Sequence, residues 1–209
     1  MPTPDDPRPL MVEIAHLLYA RQLTNSAGGN ISCRVGDLIY ITPRYLGSKH
    51  RWQLSEDMVL VFDRDLNPVE GDPARASRES QMHFACYRRF PEINGVVHAH
   101  ARYLSVFAAA GEPVVPTNEY TAKFGSVDVV RPLPSHSAEL AEAVVRKIEP
   151  RRETLQKNGL GLILAWHGAV TVGRDLADAY DTLDRLEWSA HTLLMLRGSG
   201  MSLLSGDDQ

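Results

Sequence analysis

Two histidines stand one residue apart in Asn94-Gly-Val-Val-His98-Ala-His100, with Glu79 upstream of them and Trp166-His167-Gly168 downstream. Residues i and i+2 of a strand point to the same face, so His98 and His100 bring two imidazoles to one point. His167, at the end of an apolar run and followed by a glycine that lets backbones approach, supplies a third. Three such ligands, with a fourth position left to water or substrate, are a common donor set of catalytic zinc. The competing reading is a structural or surface role, which His16, His50, His83, His136 and His191 show this chain also uses. The apolar strand leading into His167 favours the metal. Glu79 taken alone is explained by the field of a helix N-terminus, which stabilises an acid in the first turn. Beside a divalent cation the same carboxylate can remove a proton from carbon next to a metal-bound carbonyl, the metal stabilising the enediolate. Gly28-Gly29-Asn30 reads either as an ordinary tight turn or as a nest of backbone N–H groups for an anion. Arg44 and Arg78 are ordinary surface residues unless they clamp a phosphate or carboxylate.

These residues need elements to hold them. Apolar spacing predicts helices over residues 10–23, 77–90, 103–110, 137–148 and 175–196, with Ser137 as an N-cap and Pro91 as a stop. Strands are expected at 31–35, 38–42, 58–62, 96–100, 127–131, 160–165 and 169–172, the first two joined as a hairpin by Gly36-Asp37. That order is the reverse of the favoured Asp-Gly turn. Residues 67–71 read as loop. Glu79 then falls in the first turn of its helix. Because strands do not alternate regularly with helices, helices packed around a mixed or antiparallel sheet fit this order. We expect a single domain over residues 1–209, with 1–9 and 198–209 as tails.

Composition narrows the function. The chain has 209 residues, 44% of them hydrophobic and 23% charged, with a formal net charge of −4. This is an ordinary globular balance with no basic patch, so nucleic acid is not expected as a partner. The N-terminal segment lacks the pattern of a secretory signal, and no apolar run reaches membrane-span length; a cytoplasmic location is expected. Cys33 and Cys86 form no Cys-x-x-Cys pair and read as buried free thiols.

Together, Ala27-Gly-Gly-Asn30-Ile-Ser32, Ile41-Thr-Pro43, Ser77-Arg-Glu79 with His83 four residues on, Val96-Val-His98-Ala-His100 and His167-Gly168 occur in the order and spacing of one family. The chain resembles the class II aldolases, in particular the fuculose-1-phosphate aldolase and ribulose-5-phosphate 4-epimerase group, over residues 10–196. The combination is far more specific than any of its pieces.

The resemblance implies an α/β fold of three layers, α/β/α, around a central and largely antiparallel sheet. It implies a homotetramer with active sites between subunits, and zinc on His98, His100 and His167, with manganese or iron as alternatives. It places Glu79 as the acid/base, where the epimerases usually carry Asp, and this favours carbon–carbon cleavage. Gly29, Asn30 and Ser77 match positions that cradle a substrate phosphate. Tyr120, by its distance from Pro116, matches a tyrosine acting across the subunit boundary. The chain departs from the pattern at Arg44-Tyr45, usually Thr-Gly, and at Arg78, usually Ser. Either phosphate is held through guanidinium groups or the pocket is rebuilt for a carboxylate. The expected activity is a zinc-dependent lyase that cleaves a small anionic hydroxy-ketone, a sugar phosphate, by retro-aldol reaction through a metal-bound enediolate. The alternative is a metal-dependent decarboxylase of an aromatic or keto acid. An epimerase, a dehydratase and a non-enzymatic module like the adducin head stand further back, the last because it lacks the metal histidines that this chain keeps.

Overall fold

The structure, a computed structural model, describes residues 6–204. An N-terminal helix α1 (Arg8–Ala20) leads into the hairpin β1 (Asn30–Val35) and β2 (Leu38–Ile41). Gly36 takes φ +59° while Asp37 stays outside the left-handed region. That is the pattern of a II′ turn, which wants glycine first, and it explains why the reversed dipeptide still makes a hairpin. β3 (Leu60–Asp63) and β4 (Pro68–Glu70) follow, then α2 (Ser80–Arg89), β5 (Gly95–Ala99), α3 (Leu104–Ala110) and the short α4 (Glu119–Ala122). The chain continues through β6 (Val129–Val130), α5 (Ala138–Ile148), β7 (Leu160–Leu164), β8 (Gly168–Gly173) and α6 (Leu176–Ser199).

The eight strands form one sheet in the order β4-β3-β2-β1-β5-β8-β7-β6. Every pairing is antiparallel except β6 with β7. Alternation along β5 sends Val96 to one face and Val97 to the other, and each face has its own core. α1, α3 and α6 cover the first with Ile14, Leu18, Phe107, Leu183 and Leu186. α2 and α5 cover the second with Met82, Cys86, Val144 and Ile148. The expected three-layer α/β/α arrangement is what these two cores build. Ser137 caps α5 by accepting from the Leu140 N–H at 3.1 Å, as expected of it.

Several expectations are corrected. Residues 68–70, read as loop, form an exposed edge strand on β3; with all three side chains in solvent there is no apolar alternation to reveal it. The strand expected over 127–131 shrinks to Val129–Val130. α4 was not foreseen; a capping box between Asn118 and Thr121 makes its single turn. The C-terminal helix runs through Gly198 to Ser199, so the tail expected from residue 198 begins later, and α1 takes Arg8 and Pro9 from the N-terminal one. The remainder of that expectation, residues 1–5 and 205–209, lies outside the described residues. α2 begins at Ser80 rather than Ser77, which moves Glu79 out of the first turn to the N-cap position. Cys33 and Cys86 are buried free thiols, and burial pushes both up to about 12, so neither is a reactive thiolate.

Candidate active site

β5 runs through the middle of the sheet and carries His98 between Asn30 of β1 and Val170 of β8. His98 is fully buried, and its Nδ1 lies 2.9 Å from the carbonyl oxygen of Ala169. A carbonyl only accepts, so Nδ1 bears the hydrogen and Nε2 keeps its lone pair. His100 lies one residue past the end of β5 and His167 in the turn between β7 and β8. That turn is pinned by Trp166 donating to the Ala108 carbonyl at 2.9 Å and His167 to the Leu164 carbonyl at 3.0 Å. The three rings stand 4.7 to 5.4 Å apart, and one nitrogen from each lies within 4.8 Å of the others. Two glycines make this packing possible. A Cβ on Gly28 would meet His100 Cε1 at 2.7 Å, and one on Gly168 would meet the Ala99 carbonyl oxygen at 2.6 Å.

Glu79 makes no capping hydrogen bond to its helix, so the carboxylate is not used there. Its Oε2 accepts from Asn30 Nδ2 at 3.0 Å and stands 3.1 Å from His98 Nε2, while Oε1 stands 2.9 Å from His167 Nε2. Because His98 Nε2 carries a lone pair, two acceptors face each other, and such a contact requires a positive centre between or beside them. Glu79 Oε1, His98 Nε2 and His100 Nε2 are all buried without an aligned hydrogen-bond partner. Orphaned nitrogens converging with a carboxylate fit a divalent metal ion. Burial pushes the Glu79 carboxyl up, but the positive charge that His98 and His167 bear when protonated outweighs it and holds the group well below the usual carboxylate range. Burial pulls His98 down and Glu79 more than restores it, for a net rise. Burial, with His98 and His167 beside it, pushes His100 down to about 4, which keeps it in the neutral form that ligates metal.

A cavity of about 230 Å³ opens over this group. It brings Gly29, Asn30, Arg44, Ser77 and Arg78 together with Glu79, His100 and His167, so the expected anion-binding residues do share one space. A bridge between Pro43 and Ala76, and the Arg44 N–H donating to the Arg75 carbonyl at 2.8 Å, join the two loops. Ser77 Oγ accepts from the Glu79 N–H at 3.3 Å. The amide of Asn30 donates to Glu79, so its side chain serves the acid rather than an anion. Tyr120 lies elsewhere: it is on α4, 64% exposed, and does not line the cavity.

Sequence reasoning passed over two lining residues. Tyr45, at φ +64°, has the cations of Arg44, Lys49 and Arg78 at 5.4, 4.6 and 5.8 Å from its ring centroid. His136, at φ +69°, sets its Nδ1 3.9 Å from Glu79 Oε1. Both sit in irregular segments whose backbone no periodicity announces; the departure from Thr-Gly at Arg44-Tyr45 was the one available signal.

Comparison with known proteins gives the family. The family described as "Class II Aldolase and Adducin N-terminal domain" matches residues 10–194. An L-fuculose phosphate aldolase of Methanococcus maripaludis is 35% identical over 179 residues, 84% of this chain and 89% of its own. A 3-oxo-tetronate 4-phosphate decarboxylase of Haemophilus influenzae is 30% identical over 205 residues, 94% of this chain and 90% of its own. A solved L-fuculose 1-phosphate aldolase superposes with a TM-score of 0.83 at 25% identity, over 99% of this chain and 93% of that one. The matched residues take in every element that carries the histidines and Glu79, and the chain belongs to the class II aldolase family, whose relatives named here are enzymes.

Proposed function

We propose that this enzyme is a zinc-dependent lyase that cleaves a carbon–carbon bond of a small phosphorylated hydroxy-ketone by retro-aldol reaction. The observation that carries the reading is the Glu79 carboxylate, buried against the imidazoles of His98 and His167 at the floor of a cavity lined by Gly29, Ser77 and Arg78. His98, His100 and His167 hold the ion. When bound, it supplies a Lewis acid that stabilises negative charge building on substrate oxygen. Glu79 moves the proton: its Oε1, at the cavity floor without an aligned hydrogen-bond partner, takes the hydrogen of the substrate hydroxyl that becomes the aldehyde and returns it to the carbon left by bond cleavage. The backbone of Gly29, the Ser77 hydroxyl and the Arg44 and Arg78 guanidiniums bind the phosphate. Tyr120, exposed and remote from its own chain's cavity, serves the site of a neighbouring copy, where its hydroxyl hydrogen-bonds to and stabilises the departing aldehyde oxygen; the working unit is then a homotetramer. We read the chain as one domain acting in the cytoplasm. Among the described residues no helix is long and apolar enough to cross a membrane.

A second reading is a decarboxylase of a keto acid on the same floor. Arg44 and Arg78, where the family pattern has small donors, stand with Lys49 around Tyr45 and supply the charge that a carboxylate would need. One assay separates the two. Metal-loaded protein is given candidate sugar phosphates and phosphorylated keto acids, and release of a three-carbon ketone phosphate is followed against release of carbon dioxide. The aldolase reading expects the ketone phosphate; carbon dioxide alone replaces it with the second. Elemental analysis after zinc reconstitution is expected to give one ion per chain, and failure to retain any divalent ion overturns both.

A further inference from the structure

Tyr87, Ser32 and His83 form a hydrogen-bonded chain in the core behind Glu79. Ser32 Oγ lies 2.7 Å from the Tyr87 hydroxyl and 2.6 Å from His83 Nδ1, and all three residues are buried. On α2, His83 and Tyr87 stand one and two turns beyond Glu79, on the same face. On β1, Ser32 stands two residues beyond Asn30, also on the same face. Two rungs therefore cross from strand to helix, Asn30 to Glu79 and Ser32 to His83.

The hydrogens available decide the direction of this chain. If His83 Nδ1 donated to Ser32, Ser32 would donate to Tyr87, and the phenol hydrogen would be buried with no acceptor. The opposite polarity uses both hydroxyl hydrogens, Tyr87 donating to Ser32 and Ser32 to His83 Nδ1. A buried imidazole with its Nδ1 accepting carries its hydrogen on Nε2. Two atoms next to this rung remain buried and unpartnered, His83 Nε2 and Asn30 Oδ1, and one is a donor where the other is an acceptor.

We propose that His83 is a positioning residue: its Nε2–H, through one ordered water, serves Asn30 Oδ1 and thereby fixes the Asn30 amide with its NH2 on the Glu79 carboxylate. A flipped Asn30 would set its oxygen against Glu79 Oε2, two acceptors 3.0 Å apart. The run Tyr87, Ser32, His83, Asn30, Glu79 is then a one-way series of donors ending on the acid. It ends in the core at Tyr87, so it aligns the carboxylate and carries no proton to solvent. The kinetic part of this inference rests on Glu79 being the proton carrier; the tautomer does not.

The test has two arms. In isotope-labelled, zinc-loaded wild-type protein, the nitrogen spectrum of His83 is expected to show the Nε2–H tautomer; an Nδ1–H ring overturns the proposal. In the second arm, glutamine puts an amide donor where Nε2 stood and asparagine puts one where Nδ1 stood. His83→Gln is expected to keep kcat within about tenfold of wild type, and His83→Asn to lose about 100-fold, the scale of a misplaced catalytic group, with KM unchanged in both. A role confined to packing or to the Ser32 bond predicts the reverse order, and that order overturns the proposal. If Glu79→Gln kept full turnover while His83 remained Nε2–H, the proton-carrier reading would fail and the hydrogen-bond series would stand.

Discussion

At the floor of the cavity Asn30, Ser77 and Glu79, with His98 beneath them, are buried, whereas Arg44, Tyr45 and Arg78 at its rim, with Lys49 against the Tyr45 ring, are exposed. The floor is held on every side. His98 is fixed through Ala169, Glu79 through Asn30, and His100 between two glycines that admit no Cβ. The rim is held by cations 4.6 to 5.8 Å from one aromatic ring, contacts worth about 0.5–1 kcal/mol each when solvated. A group that must meet a reacting carbon needs the first kind of support. A group that selects a substrate by charge works with the second, and it can be exchanged without disturbing the floor. Proteins named for aldol cleavage and for decarboxylation both align along most of this chain.

The sharpest way to break this division is at the floor. Glu79→Gln keeps the shape and the Asn30 contact but removes the base, and turnover is expected to fall by about 10²–10⁴-fold with bound metal unchanged. Turnover and metal content measured on one preparation check it. Loss of metal together with activity would make Glu79 a ligand and erase its separate role.

At the rim the expected effect is smaller and of another kind. Arg44→Ala and Arg78→Ala should each raise KM about tenfold, the scale of one lost charge-assisted hydrogen bond, with kcat little changed. A fall in kcat at constant KM would instead place a guanidinium in the chemical step. Rising salt should reproduce part of the KM effect in the wild type and less of it in the variants.

The two regions also differed in how far the sequence disclosed them. His98 and His100 were legible because strand geometry alone puts them on one face, and His167 because an apolar strand ends on it. Glu79 was placed on the right helix but three positions too far inside it, and the difference matters: an acid in the first turn is explained by the dipole, whereas an N-cap residue without a cap bond needs another reason. The β1 register that sets Asn30 against His98 and Ser32 against His83 depends on pairing across the sheet, which no local spacing encodes. Tyr45 and His136 depend on left-handed backbone in loops, which no periodicity announces. Tyr120 was placed by resemblance alone, and its own chain gives it no contact with the cavity.

His136 lies between the two regions, near Glu79 yet partly solvated, and this makes it a probe of where the boundary runs. Its φ of +69° carries strain of about 1 kcal/mol that glycine would relieve. His136→Gly is therefore expected to hold or raise the urea midpoint while lowering kcat/KM severalfold. If kcat/KM is unchanged, His136 belongs to the rim scaffold and does not touch the substrate. If the midpoint drops, the strained loop is held by the imidazole rather than against it.

The smallest effect is expected behind the floor, at Glu187 on α6. Its carboxylate accepts from the N–H groups of Tyr103 and Leu104 at 2.7 and 2.8 Å, capping α3 just after His98 and His100. Glu187→Gln leaves one acceptor for two donors and should cost about 1 kcal/mol of stability with KM unaltered. Burial raises the Glu187 carboxyl above its ordinary value, more than the backbone donors lower it. A raised acid favours folding most where it is protonated, so the wild type's advantage over the variant should be greatest below about pH 4.5 and shrink as pH rises through the folded-state value. Urea midpoints of both proteins across that range measure the gap. A gap that widens with pH would mean that the two N–H groups stabilise the ionised carboxylate more than burial penalises it, making the support behind the histidines electrostatic rather than a matter of packing.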